Sequence, residues 1–61
     1  MLDPLKISEY ARALYRAHGN KAEAEAASRL RQSEQTGNQD EAENWRRIRQ
    51  AISQLRGPGQ A

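Results

Sequence analysis

Apolar positions along this chain recur at helical spacing rather than strand spacing. Ile7, Ala11 and Leu14 stand four and three residues apart, with Tyr10 and Ala17 widening the stripe. Ala22, Ala24, Ala26, Ala27 and Leu30 follow, and then Ala42, Trp45, Ile48, Ile52 and Leu55 at steps of three, three, four and three. The first and third sets each mark one face of a helix, and the alanine-rich second set suits a helix in apolar contact on two sides. The breaks fall where start and stop residues stand. Asp3 and Pro4 suit an N-cap and a first helical position, and Leu2 with Ile7 suits a hydrophobic staple. Gly19 and Gly37 read as stops, and Asn20 with Glu23 and Asn38 with Glu41 as caps with a capping-box partner three residues on. The pattern predicts helices over about 4–18, 21–35 and 39–56.

The junctions belong to a longer repeat. GNKAEAEAASRLRQ (Gly19–Gln32) aligns with GNQDEAENWRRIRQ (Gly37–Gln50) at an offset of 18 residues, which is five helical turns. Matching positions are therefore expected to face the same way, with Ala24 over Ala42 and Leu30 over Ile48 on the packing stripe. The repeat reads as a rule for ending one helix and starting the next. Short Gly-Asn connections favour antiparallel neighbours, so the expected fold is all-α with three helices running up, down and up. The large apolar weight sits in the third helix, which makes it the packing anchor. Trp45 is expected in the core, where Trp45→Ala would cost ~3–5 kcal/mol.

Size limits this core. The chain has 61 residues, no Cys, no Phe and no Val. So short a chain buries only about 60% of its unfolded surface, and no disulfide can staple it. The expectation is one domain over 1–56 and a flexible tail over 57–61, with either very good helix propensity and capping or part of the apolar face covered by a partner or a second copy. No apolar run reaches the ~20 residues of a membrane span, and no secretory leader is evident. These features suggest a soluble, cytoplasmic protein.

Net charge is +2 and the pI near 9.5. An up-down-up order would gather net −3 at the pole holding Asp3, Lys6, Glu9, Arg29, Arg31, Glu34, Asp40, Glu41 and Glu43. It would gather net +5, with His neutral, at the pole holding Arg12, Arg16, His18, Lys21, Glu23, Glu25, Arg46, Arg47, Arg49 and Arg56. Helix dipoles favour acids at starts and bases at ends, but do not require Arg46, Arg47 and Arg49 in mid-helix. Those three are either solvated partners of Glu43 and its neighbours or a docking patch for an acidic protein or phosphate.

Catalytic signatures are absent. His18, the only histidine, stands at a predicted helix end, where a cation caps. The serines have no base at a telling spacing. Glu23 with Glu25, and Glu41 with Glu43, diverge on a helix. Each glycine stands alone rather than in a phosphate loop. The chain is therefore read as no enzyme, with no cofactor, metal or small-molecule substrate.

The run YARALYRAHGNKAEAEAASRL, followed by GNQDEAENWRRIRQAI and RGP, resembles small uncharacterised helical proteins of alphaproteobacteria. That resemblance implies a similar size and localisation, and no site. Gly19/Ala24 and Gly37/Ala42 are also similar to part of a tetratricopeptide pattern, but Arg46 stands where that pattern has an aromatic.

Two functional readings follow. The first is a non-enzymatic protein–protein interaction or regulatory module acting through a helical surface, with a homodimer among its forms. The second is a nucleic-acid-binding module. Both draw on Arg46, Arg47, Arg49, Arg56, Arg12 and Arg16.

Overall fold

The computed structural model describes residues 3–57. It is all-α: among the described residues there is no strand. Helix α1 spans Pro4–His18, a 3-10 turn spans Gly19–Lys21, α2 spans Ala22–Gln35 and α3 spans Gln39–Leu55. The expected staple residue Leu2 and tail residues 58–61 lie outside the described residues.

Local chemistry explains two of the three helix starts. Asp3 is extended and its Oδ1 accepts from the Lys6 amide at 2.9 Å, with Pro4 opening the helix behind it. Asn38 caps α3 in the same way, accepting from the Glu41 amide at 3.1 Å. The start of α2 differs from expectation. Asn20 lies inside the 3-10 turn, and Lys21, the residue before α2, makes no side-chain cap. The backbone gives the reason. Gly19 adopts φ 59°, ψ −128°, which leads the chain straight into helical dihedrals. Asn20 never holds the extended conformation that a capping side chain needs.

The second junction is a Schellman turn. Gly37 takes φ +77°, the Asn38 amide donates to Ser33 O at 2.9 Å, and the Gly37 amide donates to Glu34 O at 3.2 Å. One residue, Asn38, thus closes α2 through its backbone and opens α3 through its side chain.

A straight helix from Pro4 to Gln35 would be about 48 Å long, yet the molecule measures 33 × 23 × 21 Å. The chain therefore turns back at Gly19–Lys21. Helix α3 is the hub: α1 and α2 both pack on it and touch each other little. Bonds between Arg56 and Glu23, and between Ser33 and Glu41, show α2 and α3 running antiparallel. Helix α1 lies on α3 with its start toward the α3 C-terminus. Its start shares a groove with Arg47, Ala51 and Gln54, and Tyr10 meets Trp45. An up-down-up order would instead set the start of α1 beside the start of α3.

The core is thin. Ile7, Ala11, Ala22, Ala26, Leu30, Ala42, Ile48 and Ile52 are buried, and four of these eight are alanines. The alanines let the α2 backbone approach α3 closely. The stripe of α2 is Ala22, Ala26, Leu30 and Ser33, so the repeat holds at Leu30/Ile48 but fails at Ala24/Ala42. Ala24 is exposed while Ala42 is buried. Leu14, Tyr15, Trp45 and Ala51 are half-buried against the cluster, so Tyr15 turns further inward than Tyr10, and Ala17 is exposed.

Candidate interaction surface

The arginines of α3 follow one another in sequence without sharing a face. At about 100° per residue, Arg46, Arg49 and Arg56 fall within roughly 80° of one another, and Arg47 lies on the opposite flank. Arg47 lines the groove beside Pro4 and Ser8 on α1, while Arg46 and Arg56 reach Glu34 and Glu23 on α2.

Three of the four are already engaged. Arg46 donates to Glu43 at 2.6 Å and to Glu34 at 3.5 Å. Arg47 donates to the other Glu43 oxygen at 2.9 Å, and Arg56 donates to Glu23. The hydrogen bond from Arg47, opposed by partial desolvation and reinforced by the bond and charge of Arg46, holds the Glu43 carboxyl below its ordinary pKa. Two of these pairs, Arg46–Glu43 and Arg47–Glu43, lie at helical spacing within α3. They also cross the expected poles, since Arg46 was assigned to the basic end and Glu34 and Glu43 to the acidic one. Glu23 and Glu25 diverge as expected, Glu23 toward Arg56 and Glu25 toward Arg29. Glu41 does not complete its capping box: its carboxylate accepts from the Ser33 hydroxyl at 3.5 Å, and the Asn38 amide is bonded to Ser33 O instead.

Trp45 joins all three helices. Its ring meets Tyr10 edge-on, with centroids 5.5 Å apart at 88°, and the Arg29 guanidinium lies 5.6 Å from its centre. Half-buried between an aromatic and a cation, it is the rim of the core rather than its centre. The largest fully buried side chains are Ile48 and Ile52.

The remaining candidate arginines are placed differently. Among the described residues, Arg12, Arg16 and Arg49 are exposed and make no ion pair. Arg12 and Arg16 stand one turn apart on α1, away from its buried face of Ile7 and Ala11. On that same outer side are Leu5, 68% exposed, and Glu9. Neither stood among the expected site residues. The signal was there in the spacing, because Leu5 falls off the Ile7–Ala11–Leu14 stripe and so off the packing face of α1.

Among the described residues, no group of His, Asp and Glu is placed to hold a metal ion, and no helix is long and apolar enough to cross a membrane. His18 lies in the last turn of α1, where its protonated form would face the negative end of the helix dipole. In comparisons with protein-family models, curated proteins and solved structures, nothing matches this chain.

Proposed function

We propose that this chain is a small non-enzymatic interaction or regulatory module: a three-helix domain that binds another protein, or its own copy, through a helical surface. The observation that carries this reading is the mismatch between core and surface. Half of the buried apolar side chains are alanines, while Leu5, Tyr10 and Leu55 stay 68%, 44% and 39% exposed. Apolar area left in water contributes nothing to folding, and ~25 cal/mol per Å2 becomes available when a partner covers it. The test is affinity capture from extract of the source cell with the wild-type chain and with a Leu5→Glu/Leu55→Glu variant. A protein retained by the first and lost by the second supports the reading. Identical retention by both, or by neither in a chain that is monomeric at all concentrations, contradicts it.

Nucleic-acid binding is the second reading, favoured by the unpaired Arg12, Arg16 and Arg49. The pairing of Arg46, Arg47 and Arg56 with glutamates weighs against it, since phosphate would have to displace a carboxylate at each. Three free arginines predict a log–log salt slope near −2 to −3. Absence of any mobility shift of duplex or single strand at low salt removes this reading.

A further inference from the structure

The outer face of α1 carries a row that no part of the fold uses. Leu5, Glu9, Arg12 and Arg16 are separated by four, three and four residues. At about 100° per residue they lie within roughly 60° of one another, on the side turned from Ile7 and Ala11. All four are exposed, and among the described residues Glu9, Arg12 and Arg16 make no ion pair or side-chain hydrogen bond. Glu9 and Arg12 are three apart and could have paired, as Glu43 and Arg46 do. Both are instead left open to an outside group.

The order of this row is self-complementary. Two antiparallel copies of α1, related by a two-fold axis passing between Glu9 and Arg12, set each Glu9 opposite the other copy's Arg12. The same axis sets Leu5 opposite Arg16, whose aliphatic stem can cover it. An isologous interface requires that kind of reciprocity, with residue i meeting j and j meeting i. A phosphate backbone does not suit the row, because Glu9 would repel it between the apolar and basic ends. An acidic peptide would leave Glu9 without a counter-charge.

We propose that the outer face of α1 is a homodimer interface, built on the reciprocal Glu9–Arg12 pairs and capped at each end by Leu5 against Arg16. This rests on the reading of the chain as an interaction module and names its partner as a second copy. One helix per protomer makes a contact below the ~1,000 Å2 of a stable interface, so the dimer is a weak one that forms at high micromolar concentration and loosens with salt.

The experiment is sedimentation equilibrium of the full chain from about 10 μM to 1 mM, at low and high salt. It compares wild type, Glu9→Arg, Arg12→Glu and the double exchange Glu9→Arg/Arg12→Glu, with far-UV circular dichroism confirming that each is helical. Wild type is expected to dimerise reversibly. Each single exchange sets like charges opposite one another twice and should raise the dissociation constant at least tenfold. The double exchange restores both pairs and should recover wild-type association. A monomer throughout the range overturns the proposal. So does a dimer indifferent to the single exchanges, or one that the double exchange fails to restore. If the chain stays monomeric while a different protein is captured through Leu5, the interaction reading stands and this inference falls.

Discussion

Glu43 accepts from two guanidiniums, and its carboxyl is held below the ordinary range chiefly by the Arg47 hydrogen bond. A depressed folded pKa contributes stability above the unfolded value and loses it as pH falls through the folded one. Glu43→Gln should therefore lower the melting temperature at pH 7, and the gap to wild type should close as pH falls below about 4. A gap that persists unchanged at pH 3 would mean that the ion pairs contribute nothing through charge. The two junction asparagines offer a sharper contrast. Asn38 caps α3 and Asn20 caps nothing, although both stand in the same Gly-Asn dipeptide. Asn38→Ala should cost about 0.5–2 kcal/mol, while Asn20→Ala should stay within about 0.5. Chemical denaturation of the two variants measures both. Equal costs would restore the capping role that Asn20 does not play in this structure.

The helices themselves were legible from spacing. The ends at His18, Gln35 and Leu55 follow from Gly19, Gly37 and the residues around Arg56, because a glycine or a capping side chain acts locally and needs no tertiary partner. What the spacing could not convey is how each junction bends. Gly37 takes φ +77° as the residue that closes the Schellman turn, a position asparagine also fills. Gly19 pairs its φ of 59° with ψ −128°, a region open essentially to glycine alone. Nothing lies within 4 Å of a Cβ at either position, so any cost is conformational. Gly37→Asn should be nearly neutral and Gly19→Asn clearly destabilising, by about 1–2 kcal/mol more. Thermal melts of the pair decide it, and the reverse order would contradict the assigned dihedrals. The repeat misled at Ala24 for a related reason. A shared sequence rule for the turn does not fix which stripe faces the neighbour, and α2 turns Ala22 and Ala26 toward α3 where the repeat pointed to Ala24.

For the whole molecule, stability is the narrow quantity. About 0.05–0.15 kcal/mol per residue gives roughly 3–9 kcal/mol in total. Ile48→Ala, at a fully buried site, should remove ~2–5 kcal/mol and leave much of the chain unfolded. Trp45→Ala removes a half-buried ring, so it loses only part of the burial of a core tryptophan, together with one edge contact and one cation worth about 1–2.5 kcal/mol beyond that burial. That variant should stay folded with a lower melting temperature, read by circular dichroism. Unfolding of Trp45→Ala alone would put the tryptophan back at the centre of the core. The candidate surface was less legible than the fold. Composition pointed at the arginines of α3, yet Arg46 and Arg56 also meet acids from another helix. Glu23 and Glu34 reach α3 only once α2 is folded against it. Leu5 and Glu9 carried no signal by type, only by their spacing off the Ile7–Ala11–Leu14 stripe.

A dilution series of amide spectra tests the central claim, that the outer face of α1 is this protein's contact with its own copy. From about 1 mM to 20 μM, shifts should move together on one binding curve and concentrate at Leu5, Glu9, Arg12 and Arg16, with α2 unchanged. Spectra that do not change with concentration, or that change along α2 and α3 instead, would contradict the account.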